Sequence, residues 1–332
     1  MKRIGIIGAG AWGTALATVA HRAGLEVMLQ AFEPDVAGAI NGDHENTLYL
    51  PGVALDPAIK ATADISEAAA GAEAVILAAP AQFLRPVMET LKEGLKPGVP
   101  IIICAKGIEQ DTGALMSEIA AEVLPETPIA VLSGPTFANE VARDLPAAVT
   151  LAASDEAIGI ELSDALGTPR FRVYRSDDVI GAQIGGAVKN VLAIGCGIAE
   201  GRGLGDNARA ALITRGLAEI VRLGLAKGGR AETLMGLCGI GDLVLTCNAM
   251  QSRNFSLGVA LGRGEALADI LDARASVAEG VFSAAAVNQL ARGLGIDMPI
   301  CLAVDGILNH FSDIDAAIEA LLSRPTDLET DF

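Results

Sequence analysis

The sequence predicts a doubly wound α/β domain followed by an all-helical domain. Over the first half of the chain, short apolar runs alternate with helix-length segments, which is typical of βαβ units in a mostly parallel sheet. After Ser176 the strand-like runs stop, and from Asp178 onward the pattern is helical. Because 332 residues are enough for two domains, we expect the first at 1–180 and the second at 181–332.

The individual elements follow from apolar runs and their spacing. The strand candidates are RIGIIG, EVMLQAF, AVILAAP, PIIICAK, PIAVLSGP, AAVTLAAS (147–154) and FRVYRS (171–176). Helical patterns occupy 81–93 and 112–124, and a long amphipathic stretch follows at 207–226. No Pro/Ser-rich linker and no internal repeat interrupts this order.

Charge and cysteine content exclude several classes of function. The net charge of −17 has the wrong sign for a general nucleic-acid binder, which needs a basic face. An anionic substrate would therefore need a local positive site. The five cysteines lack the spacing of metal or redox sites, and the three histidines lie outside every motif. We expect reduced thiols, no metal and no histidine acid–base chemistry.

The N-terminal segment imitates a signal peptide only in part. Lys2 and Arg3 precede an apolar run to Ala20, but spaced glycines and Trp12 interrupt it. No other run approaches the ~18 uninterrupted apolar residues of a membrane span. We therefore expect a cytoplasmic protein without an integral membrane segment.

One lysine stands out in the second half of the chain. Lys189 is the only basic residue of GGAVKNVLAIGCGIAEG, and its helical neighbours at i±3 and i±4 are glycine, leucine and alanine. Lysine is seldom fully buried without a partner. Either its stem packs while the ammonium group reaches solvent, or the ammonium group faces a ligand.

A glycine fingerprint (Gly8, Gly10 and Gly13) follows the first strand in GIIGAGAWG and opens a helix. In that context the three glycines allow a tight turn, a close approach of a pyrophosphate, and helix–strand packing. The helix N-terminus would present N–H groups to the pyrophosphate. The alternative is a glycine-rich turn that binds no nucleotide.

Two further strands end in polar segments. Lys106 follows a strand in CAKGIE, and SGPTFANE contains Gly134 and Thr136. Ligands of open α/β sheets bind outside such strand ends. The plainer alternatives are a surface lysine and a structural turn in which Thr136 caps the next helix.

The segment GIGDLVLTCNAMQSRN, at 239–254, combines one acidic residue with three consecutive polar ones. Asp242 follows two glycines, and Ser252, Arg253 and Asn254 supply donors in sequence. Arginine beside hydroxyl and amide groups suits multidentate recognition of a phosphate or carboxylate. An ordinary helix-capping segment is the alternative.

Together these stretches resemble the bacterial NAD(P)-dependent glycerol-3-phosphate dehydrogenase family. The resemblance extends to about MPI at 298–300 and includes SGPTFA, GGAVKNVLAIG, NARAALITRG and GLGDLVLTC…QSRN, with Ile240 in place of the leucine. It implies a Rossmann-type doubly wound domain, an all-α substrate-binding and dimerisation domain, and a homodimer. It also implies reversible reduction of dihydroxyacetone phosphate to sn-glycerol 3-phosphate, which feeds glycerophospholipid synthesis.

The resemblance also implies site residues, carried over by matched position. Lys189 resembles the family's proton donor and acceptor and contacts substrate. The substrate shell implied is Lys106, Gly134, Thr136, Asp242, Ser252, Arg253 and Asn254, with Asn190 and Thr246 beside the reacting group. The cofactor contacts implied are the glycine fingerprint, Ala11, Trp12, Ala138, Val277 and Glu279, with Lys106 and Arg253 shared.

A lysine suits ketone reduction because negative charge develops on the carbonyl oxygen and a positioned cation can also give it a proton. Apolar surroundings and a second cation, Lys106, would lower the pKa of Lys189 toward working pH. We expect Asp242 to orient Lys189.

The cofactor is NAD or NADP, and one segment bears on the choice. Where relatives often have a basic residue for the 2′-phosphate, this chain reads LQAFEPD, with Phe32 and Glu33. An acidic residue about 20 positions after the fingerprint holds the ribose 2′-hydroxyl in NAD sites. Alternatively, Glu33 begins an exposed turn and touches nothing. We expect NADH to be preferred.

Two other functions stay open from sequence. One is a related two-domain dehydrogenase of a 3-hydroxy acid or a sugar acid. The other is a nucleotide-sensing Rossmann protein without catalysis, although such a protein would have no need of Lys189, Lys106 and Asp242 together.

Overall fold

The computed structural model describes residues 1–273 and 278–325. The chain forms two compact units. The α/β unit contains Met1–Lys106 and Leu115–Val179, and the helical unit contains Gly107–Ala114 and the chain from Ile180 onward. The sequence boundary at 180 did not anticipate that the short segment after the fifth strand groups with the helical unit.

The α/β unit contains a single twisted sheet. Its strands are β1 (Arg3–Ile7), β2 (Glu26–Gln30), β3 (Lys60–Thr62), β4 (Ala74–Leu77), β5 (Ile101–Ile103), β6 (Ile129–Ser133), β7 (Ala147–Ala153) and β8 (Phe171–Ser176). Their order is β3-β2-β1-β4-β5-β6-β7-β8, and only the β6–β7 pair is antiparallel. The predicted doubly wound, mostly parallel sheet is confirmed. The sequence missed β3 because KAT has no apolar run.

Helices flank the strands as the alternating pattern predicted. They are α1 (Ala11–Arg22), α2 (Pro34–Gly42), α3 (Ile65–Ala69), α4 (Leu84–Lys92), α5 (Met116–Val123), α6 (Ala138–Ala142) and α7 (Glu156–Leu166), with a 3₁₀ turn at Ala81–Phe83 before α4. Helix α5 begins later than the predicted residue 112. Gly113, at φ +72°, belongs to a turn in which the Glu109 N–H donates to the Ala114 carbonyl oxygen and the Gly113 N–H donates to the Glu109 carbonyl oxygen. The Glu118 carboxylate accepts the Leu115 N–H at the helix start.

The central strands explain why the sequence shows continuous apolar runs rather than alternation. Ile4, Ile6, Val75, Ile76 and Ile102 are fully buried. Neighbouring residues point to opposite faces of a sheet, so burial of both Val75 and Ile76 means that both faces are covered. The sheet is therefore a rigid base for the loops at its strand ends.

The helical unit is all-α over its described residues. Its helices are α8 (Val179–Gly201), α9 (Gly205–Lys227), α10 (Ala231–Leu234), α11 (Asp242–Asn248), α12 (Arg253–Gly262), α13 (Leu267–Asp272), α14 (Glu279–Leu294), α15 (Pro299–Asn309) and α16 (Ile314–Leu322), with a π-helical turn at Leu237–Gly241. The predicted amphipathic stretch at 207–226 is α9, which ends at Gly228 in the left-handed conformation.

Helix α8 is the buried core helix of this unit. Among the described residues it is the one single helix long and apolar enough to cross a bilayer, and α10–α12 together form a bent pair that also meets that test. The sequence analysis had found no such run, because Lys189 interrupts α8. However, 83% of the apolar window of α8 is buried inside the protein, which is the pattern of a core helix.

Glycines allow α12 to cross α8 at backbone contact. A Cβ on Gly258 would lie 2.9 Å from the Cα of Gly197, and a Cβ on Gly262 would lie 2.9 Å from the Cα of Gly201. Real Cβ atoms do not approach so closely, so this crossing requires the small residues. The contact fixes α12, whose first residue is Arg253, against the helix that carries Lys189.

Candidate active site

The glycine fingerprint forms the turn between β1 and α1. Gly8 has φ +105°, a region that L side chains rarely adopt, and a Cβ on Gly13 would overlap the Gly8 carbonyl oxygen. In contrast, a Cβ on Gly10 would meet nothing within 4 Å. Two glycines are thus required by the fold, whereas the third leaves open space, as a ligand approach would need.

The start of α1 has the features of an anion site. Gly10 is the N-cap, no side chain caps the helix, and its first turn, which begins with Ala11 and Trp12, contains no acidic residue. Ser133 Oγ is buried and makes no hydrogen bond within the described residues. Buried polar atoms of this kind are normally satisfied by water or ligand. These residues therefore fit a dinucleotide.

Glu33 is not the unpaired turn residue that the alternative interpretation assumed. The Tyr49 hydroxyl donates a 2.7 Å hydrogen bond to Glu33 Oε1, and this bond raises the pKa of Tyr49. Phe32 points away from the protein and is 87% exposed. The sequence analysis missed Tyr49, which is separated from Glu33 by all of α2, and no local pattern links the two.

Lys106 and Thr136 converge on one carbonyl group. Lys106 Nζ donates to the Gly134 carbonyl oxygen at 3.1 Å, and Thr136 Oγ1 donates to the same atom at 3.3 Å. The expectation that Thr136 caps the next helix is wrong, because Phe137 is the N-cap of α6 and Ala138 its first residue. The Thr136 hydroxyl instead closes the turn.

Burial raises the pKa of the Cys104 thiol to about 12, although Lys106 acts in the opposite direction. The thiol therefore stays protonated and is a poor nucleophile. All five cysteines are buried and free, in agreement with the expected reduced thiols.

Lys189 is buried and held by two partners from α11. Its Nζ donates to Asp242 Oδ1 at 2.6 Å and to Thr246 Oγ1 at 2.8 Å, and Thr246 Oγ1 also donates to Asp242 Oδ1 at 3.3 Å. The Lys189 side chain is 7% exposed and that of Asp242 is fully buried. The alternative in which the ammonium group reaches solvent is therefore wrong. We call Lys189, Asp242 and Thr246 the lysine cluster.

The ion pair changes the electrostatic argument made from sequence. Apolar surroundings disfavour the charged form of a lysine, but a carboxylate in direct contact favours it. The sequence analysis considered the first influence and a second cation, and it did not weigh the Asp242 charge. The buried contact with Asp242 therefore opposes the influence of the apolar surroundings.

Glycine contacts bring Asp242 to Lys189. A Cβ on Gly185 of α8 would lie 3.2 Å from the Gly239 Cα and would overlap the Cys238 carbonyl oxygen. The π-helical turn therefore packs directly on α8, and α11 begins at Asp242 immediately after it. The small size of Gly185 thus allows the close packing that brings Asp242 to Lys189.

The three polar residues at 252–254 have different environments. Ser252 Oγ accepts the Phe255 N–H at 3.2 Å and so caps α12, as the alternative interpretation suggested. The hydroxyl hydrogen can still be donated to another acceptor. Arg253, in the first turn, is exposed, whereas Asn254 is buried and its Oδ1 accepts the Gly280 N–H at 3.0 Å.

Gly280 is a site residue that the sequence analysis missed. A Cβ there would lie 2.7 Å from the Asn190 carbonyl oxygen and 2.8 Å from Asn254 Oδ1. Its neighbour Glu279 is the first residue of α14, and Val277 lies outside the described residues. Gly280 thus packs against two of the expected substrate residues.

Each unit gathers part of the expected site. The α/β unit brings together Lys106, Gly134 and Thr136, and separately the glycine fingerprint. The helical unit brings together the lysine cluster, and it joins Asn254 to the start of α14. A buried ammonium group with a carboxylate and a hydroxyl can stabilise an oxyanion and transfer a proton.

Comparison with known proteins gives one family over both units. The family model for the N-terminus of NAD-dependent glycerol-3-phosphate dehydrogenase matches residues 3–159, and that for its C-terminus matches 178–319. The chain is 62% identical over 330 residues to glycerol-3-phosphate dehydrogenase (NAD(P)+) of Rhodospirillum rubrum, across 99% of this chain and 94% of that protein.

Solved structures agree with this comparison. A glycerol-3-phosphate dehydrogenase crystal structure from Coxiella burnetii has a TM-score of 0.94 and 40% identity, over 97% of this chain and 99% of that one. A 3-hydroxyisobutyrate dehydrogenase from Salmonella typhimurium has a TM-score of 0.55 and 20% identity, over 96% and 100% of the two chains. The second likeness extends to the fold alone.

Proposed function

Because the chain belongs to the NAD-dependent glycerol-3-phosphate dehydrogenase family, we propose that Lys189 is its proton donor and acceptor. The chain is an NAD(P)-dependent oxidoreductase that interconverts dihydroxyacetone phosphate and sn-glycerol 3-phosphate. The observation that carries the proposal is the buried 2.6 Å contact between Lys189 Nζ and Asp242 Oδ1.

Lys189 acts on the carbonyl oxygen of the substrate. NAD(P)H held at the glycine fingerprint and the start of α1 would supply the hydride, and its addition to the carbonyl carbon would place the negative charge on the carbonyl oxygen. The Lys189 ammonium group stabilises that oxyanion and donates a proton to it. The neutral amine then regains a proton from solvent, and in the reverse direction it accepts the hydroxyl proton of the alcohol.

Asp242 and Thr246 position Lys189 for this step. Two acceptors on one helix restrict the orientation of the ammonium group and so hold its N–H donors in a defined direction. Positioning of this kind contributes because the reacting atoms meet without further reorganisation. We assign Asn190 to the same part of the site.

We assign the substrate phosphate to Arg253, Ser252 and Asn254, and within the α/β unit we assign Lys106, Gly134 and Thr136 to substrate binding. The three consecutive residues occupy the N-terminal end of α12, where the helix dipole favours an anion. The exposed Arg253 guanidinium group can form charge-assisted bonds to phosphate oxygens. We assign Ala11, Trp12, Ala138, Val277 and Glu279 to the cofactor.

We further propose that NADH is preferred to NADPH. The carboxylate of Glu33 can accept the ribose 2′-hydroxyl and repels a 2′-phosphate. We expect a higher kcat/KM with NADH, and we expect Phe32→Arg combined with Glu33→Gln to shift the ratio toward NADPH. Initial rates with both cofactors measure this preference, and a tenfold or larger wild-type preference for NADPH would contradict it.

The cellular setting follows from the same proposal. We infer a cytoplasmic homodimer that supplies glycerol 3-phosphate to glycerophospholipid synthesis and has no nucleic-acid partner. The molar mass of the purified protein by light scattering tests the dimer, and about 34 kDa, the mass of the 33.8 kDa chain, would contradict it.

One assay separates the three candidate functions. Purified protein is mixed with NADH and either dihydroxyacetone phosphate, dihydroxyacetone or the keto form of a 3-hydroxy acid, and absorbance at 340 nm is followed. We expect turnover with the phosphorylated ketone above all. Turnover with the keto acid alone would favour the related dehydrogenase, and NADH binding without any turnover would favour a sensor.

A further inference from the structure

The α/β unit contains a tyrosine, Tyr49, that no part of the proposed mechanism uses and that touches the residue assigned to cofactor choice. We propose that Tyr49 is a positioning residue for cofactor discrimination. Its hydroxyl fixes the Glu33 carboxylate as an acceptor for the ribose 2′-hydroxyl. This inference rests on the proposed function, in which Glu33 faces the adenosine ribose.

The first observation is the place of Glu33. It follows β2 and is the N-cap of α2, with an extended backbone (φ −89°, ψ 122°) and no side-chain cap. Its carboxylate is therefore not used to begin the helix. A glutamate in a half-buried loop position has several rotamers, and only some of them would direct the carboxylate toward a ribose.

The second observation is the hydrogen bond from Tyr49. The 2.7 Å bond engages Glu33 Oε1, and no donor among the described residues contacts Glu33 Oε2. The pKa of Tyr49 is raised, chiefly because its hydroxyl donates to Glu33, so the phenol keeps its proton at neutral pH. One carboxylate oxygen is held, and the other can accept a hydroxyl group.

The third observation ties Tyr49 to the glycine fingerprint. Asn46, which is 1% exposed, donates from Nδ2 to the Ala9 carbonyl oxygen and to Thr14 Oγ1, both at 2.8 Å. Asn46 Oδ1 accepts the Tyr49 N–H at 3.1 Å. The segment 46–49 therefore joins the pyrophosphate turn to the Glu33 carboxylate within one unit.

The fixed position of Glu33 affects the choice between NADH and NADPH. A fixed Glu33 offers its acceptor to a 2′-hydroxyl without loss of rotamer freedom, which favours NADH. The same fixed charge cannot rotate away from a 2′-phosphate, which carries about −1.5 to −2 charges at neutral pH. Removal of the Tyr49 hydroxyl should weaken both effects, in opposite directions for the two cofactors.

The test compares Tyr49→Phe with wild type and with Tyr174→Phe. Tyr174 is the second of the chain's two tyrosines and is half-exposed on β8, so its variant controls for loss of a phenol elsewhere. KM and kcat are measured with NADH, NADPH and 2′-deoxy-NADH, and dissociation constants are measured by calorimetry without substrate.

We expect Tyr49→Phe to raise the KM and Kd for NADH about threefold to tenfold, which is less than for loss of a direct bond to a charged group because the Glu33 carboxylate itself remains. Both constants should fall for NADPH. They should stay the same for 2′-deoxy-NADH, which has no 2′-hydroxyl on its adenosine ribose. The effect should fall on KM rather than kcat. In a Glu33→Gln background, Tyr49→Phe should have no further effect on the ratio.

Two results would overturn the inference. Equal changes for all three cofactors would mean that Tyr49 acts only on the stability of the loop, and an unchanged NADH-to-NADPH ratio would mean that it does not position Glu33. The calorimetric arm does not depend on turnover. If the wild-type protein failed to reduce dihydroxyacetone phosphate, the proposed function would fail while the role of Tyr49 would still be decided.

Discussion

The glycine fingerprint and the lysine cluster are built in opposite ways. Six consecutive positions, Gly8 to Gly13, form the first, and backbone geometry explains them. The second joins Lys189 to residues 53 and 57 positions later, and it depends on one buried ion pair. A contiguous motif can be recognised from sequence. The contacts of a cluster assembled by helix packing become known only when the positions of the helices are known.

The two regions should therefore respond differently to substitution. At the fingerprint, added volume is the change that damages the fold, because a Cβ on Gly8 or Gly13 would meet backbone atoms. In the lysine cluster, loss of charge is the damaging change. Removing one partner of a buried ion pair costs about 3–5 kcal/mol of stability because the other charge is left uncompensated.

The largest effect is expected at Lys189. Lys189→Met keeps the volume of the stem but removes the proton and the charge, so turnover should fall on the order of 10²-fold or more. NADH affinity should change little. Steady-state rates and calorimetry measure the two quantities, with circular dichroism to show that the variant, which leaves Asp242 unpaired, is folded at the assay temperature. More than a tenth of wild-type activity would refute the assignment.

The next effect is expected at the substrate phosphate. Arg253→Ala should raise the KM for dihydroxyacetone phosphate about tenfold to a hundredfold, since a charge-assisted bond contributes roughly 1.5–3 kcal/mol. The KM of the cofactor may be compared in the same experiment, because Arg253 is assigned to both. Equal losses for dihydroxyacetone and for its phosphate would rule out phosphate recognition by this residue.

The smallest effects are expected at two glycines of the fingerprint, whose alanine variants should differ in stability. Gly13→Ala forces a Cβ onto the Gly8 carbonyl group and should lower the free energy of unfolding by about 1–3 kcal/mol. Gly10→Ala adds its methyl group to open space and should leave stability nearly unchanged while weakening NADH binding. Chemical denaturation and calorimetry test both variants. Equal stability losses would contradict the open space at Gly10, and unchanged NADH binding by Gly10→Ala would contradict its placement beside the cofactor.

The sequence was sufficient where the signal is local. Seven of the eight strands and the fingerprint follow from apolar runs and glycine spacing. The grouping of Gly107–Ala114 with the helical unit did not follow, because it depends on packing between distant segments. The alternative in which Thr136 caps the next helix came from residue type alone, but its hydroxyl bonds to Gly134 within the turn.

In the candidate site, too, contacts between residues distant in sequence could not be predicted. Lys189 could be selected because a lone lysine in an apolar helix is unusual, and the resemblance indicated Asp242. Their distance, and the opposing influence of Asp242 on the protonation of Lys189, required the structure. Tyr49 and Gly280 were missed because their importance lies in contacts with residues 16 and 26 positions away, at Glu33 and Asn254.

The central claim is that Asp242 holds a proton-donating cation at the position of Lys189 Nζ, and chemical rescue tests it most directly. Lys189→Ala is assayed with dihydroxyacetone phosphate, NADH and increasing ethylammonium, with tetramethylammonium as a cation that has no proton to donate. We predict that ethylammonium restores turnover in proportion to its concentration, that tetramethylammonium does not, and that Lys189→Ala combined with Asp242→Leu is not rescued. Equal restoration by both cations, or rescue that is indifferent to Asp242, would contradict the account.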